Sequence, residues 1–111
     1  MECIKSDVHI DDRRELIDFS FNFNVNSLKV IKSFTSSDLG NHFHIKKTEI
    51  FFLVHGSINS LRVGGSDWGK KDSPFAWRVD PGEFHSILPE QGALIVCLSD
   101  NTYDPSDEIV E

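Results

Sequence analysis

Cysteine is scarce in this 111-residue chain, and two of them, Cys3 near the start and Cys97 in the apolar run 93–98, make no disulfide framework. Cys97 therefore reads as a small buried hydrophobe rather than a nucleophile. No apolar run approaches the ~20 residues that a bilayer-spanning helix needs, and the opening MECIKSD lacks the basic and apolar regions of a secretory leader. A cytoplasmic protein is expected by default. Basic residues are also in short supply: eleven Lys and Arg against eighteen Asp and Glu give a formal net charge of -7. That balance argues against nucleic acid or anionic membrane as a general partner, though not against a local basic pocket. Helical periodicity is almost missing, and no repeat of solenoid length is present.

What the chain does contain is aromatic and β-branched residues in short runs, with nine Phe and two Trp, a composition that favours strands. The length suits a single domain over 1–111. Residues 1–18 carry charge in blocks and predict a weakly structured opening or an edge strand. From Phe19 the residues alternate, with Phe19, Phe21, Phe23 and Val25 on one parity and Ser20, Asn22, Asn24 and Asn26 on the other, as in a strand with one buried face. A second strand is expected over 28–34, and 35–41 has loop composition. Ile50 to Val54 is apolar and ends near Gly56, beyond which 57–63 reads as the return arm of a hairpin. Gly64-Gly65-Ser66-Asp67 marks a turn, and 64–73 is polar. Phe75 to Val79 alternates again and leads to the Asp80-Pro81-Gly82 corner. Ala93 to Leu98 is apolar without a break, consistent with burial on both sides. Residues 104–111 read as a solvated acidic tail. About seven or eight such strands describe an all-β sandwich or small barrel.

The chemistry concentrates in Gly40 to Gly56, GNHFHIKKTEIFFLVHG. His42 and His44 are two apart, so a strand aims both to one face, and the tetrad Ile45 to Thr48 is long enough to bring Glu49 back beside them. His85 follows the Pro81-Gly82 corner as a fourth candidate. Three imidazoles and a carboxylate converging on one point suit a divalent transition metal of the Zn, Ni, Mn or Fe kind.

These residues also resemble a family. Gly40-Asn41-His42-Phe43-His44, Glu49 and Gly56 match the first cupin motif position by position, and Pro81-Gly82-Glu83-Phe84-His85 looks like the centre of the second. The glycine usually found upstream of that proline and the asparagine after the histidine are not at their usual spacing. The resemblance implies a single-domain double-stranded β-helix, or jelly roll, with both histidine segments at the barrel mouth. More narrowly, the Lys-Val-Ile strand, GNHFHIKKTE, FFLVHGSI, VDPGEFH and LSDNTYDPSDEI are similar to small RmlC-like cupins related to sugar-nucleotide 3,4-ketoisomerases and dTDP-4-dehydrorhamnose 3,5-epimerases. GNHFHIKKTE also looks like the cupin domain of capsule-synthesis sugar reductases, whose equivalent positions hold zinc. In the ketoisomerases the paired histidines, His42 and His44 here, transfer protons on a 4-keto sugar without a metal. This chain departs from them in having Leu39 where an arginine is common and Glu49 where glutamine is usual.

Three readings of the site follow. In the first, His42, His44, Glu49 and His85 hold a metal; in the second, His42 and His44 form a metal-free acid/base pair; in the third, the histidines only pack and Glu49 pairs with Lys46 or Lys47. The resemblance points to an isomerase or epimerase moving a proton beside a sugar ketone, with a nucleotide sugar as the small-molecule partner. Arg62, Arg78 and Tyr103 are candidate substrate contacts, with Lys46 and Lys47 as further cations and Trp77 as core or a stacking surface. The other class of function is a non-catalytic metal or small-ligand cupin, a sensor or assembly module; metal-dependent oxygen chemistry is a third. A homodimer is expected, with the Phe19, Phe21 and Phe23 segment as inner wall or interface.

Overall fold

The computed structural model describes residues 1–110 and is built almost entirely of strands. In chain order these are β1 (Glu2–Ile10), β2 (Glu15–Ser20), β3 (Ser27–Lys32), β4 (Leu39–His44), β5 (Glu49–His55), β6 (Ser57–Val63), β7 (Ser66–Asp67), β8 (Lys71–Asp72), β9 (Phe75–Val79), β10 (His85–Pro89), β11 (Leu94–Ser99) and β12 (Glu108–Val110). A 3-10 turn, Pro105–Asp107, precedes β12. One six-stranded sheet runs β2-β1-β9-β5-β11-β3, and the other runs β12-β4-β10-β6-β7 with β8 also on β6. Every pairing is antiparallel. The two sheets face each other as a jelly roll, the all-β architecture expected. No helix among the described residues is long and apolar enough to cross a membrane.

Between the sheets lies the core. Leu53, Ile58, Leu61, Val63, Trp77, Val79, Ile95 and Cys97 are almost wholly buried there. On β9 and β11 these residues sit at alternate positions, so one parity of each strand is buried against the other sheet, while on β6 a register shift opposite Leu88 and Pro89 puts Ile58 out of phase with Leu61 and Val63. Phe51 and Trp77 stack at 5.2 Å, which ties β5 to β9 beneath the site.

Several expectations need correction. The opening takes the edge-strand form and not the weakly structured one: residues 5–10 pair with 15–20 as a hairpin whose β2 is the sheet edge, and 2–4 join β9. The alternation from Phe19 does not mark one strand. β2 ends at Ser20, at one edge of its sheet, and the chain must reach β3 at the opposite edge. Residues 21–26 cross the sheet's outer face to do so, with Phe19 and Phe21 against Phe52 (4.9 and 5.4 Å) and Asn26 N–H donating to Ser99 O. Phenylalanines at alternate positions pin an extended crossing segment as well as they pin a strand. Nor do β5 and β6 form a hairpin. Gly56 (φ +83°) is a corner between the two sheets, pressed so near β11 that a Cβ there would stand 3.0 Å from Ala93 Cα. β11 alternates after all, with Ile95, Cys97 and Ser99 inside and Leu94, Val96 and Leu98 on the half-buried outer face. The acidic tail docks: β12 pairs with β4, and Asp107 is buried. Glu111 lies outside the described residues.

Candidate metal and active site

β4 has two residues at positive φ directly after Leu39, Gly40 (+91°) and Asn41 (+59°), and its pairing with β10 shifts register between His85 and Ser86. The bulge places His42 directly opposite His85 and keeps His44 on the same inner face. The ring centroids of His42 stand 4.6 Å from His44 and 4.7 Å from His85. β5 enters from the other sheet and brings Glu49, 2% exposed, beneath them. One ligand atom from each of His42, His44, Glu49 and His85 lies within 4.8 Å of the others.

The two Glu49 oxygens have different surroundings. Oε2 accepts from the Cys97 thiol at 3.1 Å and faces Lys29 Nζ at 3.5 Å and Lys47 Nζ at 3.8 Å. Oε1 points at the histidines, 2.9 Å from His44 Nε2 and 3.6 Å from His85 Nε2. The ring geometry at His44 misses a hydrogen bond, so Glu49 Oε1 and both His44 nitrogens have no hydrogen-bond partner among the described residues. Burial alone would raise the Glu49 pKa. The His44 ring, the Cys97 thiol and the two ammonium groups outweigh it and hold the carboxyl well below its usual range. Burial and the nearby carboxylate push the Cys97 thiol up, which keeps it a donor.

Burial, offset only in part by Glu49, lowers His85 to about 4, and burial with the neighbouring His44 lowers His42. Both are neutral at pH 7. The backbone oxygen of Glu83, 3.3 Å from His85 Nδ1, can only accept, so Nδ1 carries the proton and Nε2 offers a lone pair toward Glu49 Oε1. Donors bound to one ion at about 2.1 Å sit roughly 3 to 4 Å apart, close to the spacing here. The orphaned His44 Nε2 and Glu49 Oε1, which face each other, and the inward Nε2 of His85 thus form a group that could hold a metal ion.

These groups line one end of a cavity of about 150 Å³. His42, Glu49 and His85 form its polar end, and Ile31, Leu39, Phe51, Trp77 and Ile87 its apolar wall. His44, 3% exposed, sits behind them and does not line it. The structure does not bring the candidate substrate contacts here. Arg62 points outward on β6 opposite Asp67, Arg78 lies on the outer face of its sheet bonded to Asp80, and Tyr103 is 70% exposed. Lys46 is exposed, and Glu49 pairs with Lys47 and Lys29 instead.

Sequence reasoning missed three neighbours. Lys29 stands among plain strand residues, but its inward parity on the edge strand β3 carries it to the cavity. Cys97 was read as packing alone. Asp107 looked like tail, yet its carboxylate accepts from Lys46 N (2.7 Å) and Lys47 N (3.2 Å) and stands 3.7 Å from His44 Nδ1. A lone Asp three residues after Asp104-Pro105 would have signalled a capped turn at most.

A 3,4-ketoisomerase from Helicobacter canadensis superposes with a TM-score of 0.83 at 18% identity, over 99% of this chain and 90% of its own. The fold is an RmlC-like cupin. The sugar 3,4-ketoisomerase QdtA of Thermoanaerobacterium thermosaccharolyticum, in complex with TDP-4-keto-6-deoxyglucose, matches this cupin fold at 0.83 and 17% identity, over 98% and 86% of the two chains. The RmlC epimerase of Mycobacterium tuberculosis matches at 0.78 and 19%, over 97% of this chain and 66% of that one. No protein-family model matches the sequence, and no curated protein does.

Proposed function

We propose that this cupin isomerises or epimerises a keto-deoxysugar carried on a nucleotide diphosphate, with a divalent metal at the His-Glu cluster. The observation that carries the reading is the convergence of three imidazoles on Oε1 of a buried, ionised carboxylate at one end of a cavity. The substrate class rests on the structural neighbours, which include a ketoisomerase holding a TDP-keto sugar. In this reading the four side chains divide their work. His44, Glu49 and His85, the three buried groups, hold the metal, and an ion bound there would supply a Lewis acid for the keto oxygen. His42 is half-buried and lines the cavity, and its lowered pKa leaves it neutral and able to accept a proton. It removes the proton from the carbon beside the ketone and the electron pair moves onto the carbonyl oxygen as an enediolate; in isomerisation the neighbouring hydroxyl gives its proton to that oxygen and carbon is re-protonated at the former carbonyl position, and in epimerisation the proton returns to the same carbon from the opposite face. The apolar wall keeps water from the enediolate, and Lys29 is the cation nearest its charge.

Two measurements test this. Purified protein should carry a stoichiometric transition metal that is lost in His44→Ala and His85→Ala and kept in His42→Ala. In D₂O with TDP-4-keto-6-deoxyglucose, proton NMR should show deuterium entering the sugar ring for wild type and not for His42→Ala. A folded protein with no exchange on any TDP- or UDP-keto sugar would refute the enzymatic reading. A second reading, a metal-holding cupin without turnover, is favoured by the cavity's having one lining cation among the described residues, Lys29, which already pairs with Glu49. It predicts the same metal content and no exchange.

A homodimer belongs to the same proposal. Residues 5–10 of β1 pair only with β2, and a two-stranded ribbon is marginal on its own. Leu28 and Val30 are each 59% exposed on the outer face of the same sheet. Covering these by a second copy predicts that removal of residues 1–25 yields aggregates; a soluble truncated monomer would contradict it.

A further inference from the structure

We propose that the apolar end of the cavity is a specificity subsite, in which Ile31, Leu39 and Ile87 receive a methyl substituent of the ligand and reject a hydroxymethyl in its place. The subsite belongs to the proposed function and takes the identity of the sugar from it. The cavity lining repeats from strand to strand. On β5 Glu49 is followed two residues later by Phe51, on β10 His85 by Ile87, and on β3 Lys29 by Ile31. Residues two apart on a strand share a face and stand about 7 Å apart along it, so three strands step together from a polar layer to an apolar one. β4 joins them through its bend: with Gly40 and Asn41 at positive φ, Leu39 is the residue paired with Ile87.

Such layers fit a ligand with oxygen at one end and hydrocarbon at the other. A sugar carried at C1 keeps that carbon outside, so C4, across the ring, goes in first with its ketone. C3 and C5 flank the ketone. When C3 turns to His42 and the buried cluster, C5 and its C6 substituent turn the opposite way, onto Ile31, Leu39 and Ile87. A methyl there meets side-chain carbon. A hydroxyl there meets no donor or acceptor on those side chains, and β10 and β5 each lie between two other strands, so their backbone groups are taken up in the sheets. The layer is also held firm from behind, since Ile87 is 5% exposed and Phe51 stacks on Trp77. A C6 hydroxyl would therefore give up its water without a new partner, which costs about 10–100-fold in affinity.

Calorimetric titration of the full chain with TDP-fucose and TDP-galactose, which differ only in a methyl against a hydroxymethyl on C5, tests the subsite without turnover. Wild type should bind the fucose compound about 10–100-fold more tightly. Leu39 is half-buried, so a polar replacement there spares the core. Leu39→Gln should bring the two affinities within a few-fold by giving the hydroxyl a partner, and Leu39→Ala should narrow the preference by removing carbon from around the methyl. With methyl-labelled Ile and Leu in wild type, nuclear Overhauser contacts should run from the sugar's C6 methyl to Leu39 and Ile87. Equal affinities in wild type, a preference that both variants leave intact, or a C6 methyl in contact with neither residue would overturn the subsite and leave the nucleotide-sugar reading in place. If neither sugar nucleotide binds, that reading fails and butanone decides the subsite alone. Contacts from its ethyl group to Leu39 and Ile87 would uphold it, and their absence would overturn it.

Discussion

Gly40→Ala tests how tightly the two histidine strands are held. Gly40 sits at φ +91°, and a Cβ there would stand 2.9 Å from the backbone oxygen of His85 and 3.4 Å from its Cδ2. The left-handed backbone costs an L-residue about 1–2 kcal/mol. The contact is with main chain, which cannot swing aside as a flexible side chain can, and overpacking of this kind adds about 1–3 kcal/mol. Gly92→Ala separates the two costs, because Gly92 has φ +87° and nothing within 4 Å of its added Cβ. Urea denaturation followed by circular dichroism should therefore give a loss of about 2–5 kcal/mol for Gly40→Ala and only about 1–2 kcal/mol for Gly92→Ala. The thermal midpoint should fall by roughly 10–20 °C in the first, at about 4 °C or more per kcal/mol for a domain near this size. Metal affinity should drop in Gly40→Ala alone, since relief of the clash moves β10 and His85 away from His42. Equal destabilisation in the two variants would show that the strands can separate without cost and that the bulge does not set the site's dimensions.

Two further outcomes follow from the buried groups. In metal-free protein the unfolded chain protonates His85 near pH 6.5, while the folded one does so only at about 4. Stability is therefore lost as pH falls through that window, by about 3 kcal/mol for a shift of this size, and the loss levels off below it. Urea midpoints at pH 7 and pH 4 should show that slope and His85→Gln should flatten it; an unchanged slope in the variant would assign the acid sensitivity elsewhere. Cys3 is exposed and Cys97 buried, so a thiol reagent should count one cysteine in native protein and two in denaturant. Rapid labelling of both in the native state would contradict the placement of Cys97 beneath Glu49.

The strands were legible wherever one face meets core and the other meets solvent. Ser57 to Val63 is such a case, with Leu61 and Val63 buried and Arg62 exposed between them, and its predicted bounds are those found. Patterning failed where the first sheet is apolar on both faces. There Phe19 to Val25 looked like a strand, and Ile50 to Val54 looked like half of a hairpin although its strand partners are β9 and β11, neither adjacent to it in the chain. Local alternation reports that a segment is extended and one-sided. It does not report which sheet it joins. The first-motif histidines and Glu49 could be read because spacing of two and a short polar link constrain geometry locally, whereas Lys29 and Asp107 reach the site through pairings with β11 and β4 that no local spacing encodes.

The charges around Glu49 lead to a last prediction. Lys47, with its side chain 5% exposed, is a fixed counter-charge whose removal would leave the carboxylate unbalanced in the interior. Lys29 holds the same oxygen from the cavity side with a side chain 49% exposed, so it can withdraw into solvent when another cation arrives. Two unit charges 4 Å apart interact by about 1 kcal/mol in water, and a divalent ion doubles that, so Lys29 should oppose metal binding by on the order of 1–2 kcal/mol. Lys29→Met should tighten Co²⁺ binding roughly tenfold at low ionic strength, and the advantage should shrink as salt screens the half-exposed ammonium. If Lys29 instead helps hold the substrate or its enediolate, the same variant should lose deuterium exchange while gaining metal. Weaker metal binding in Lys29→Met would mean that the ammonium holds Glu49 in place rather than competing for it, and that Cys97 and Lys47 do not suffice to orient the carboxylate.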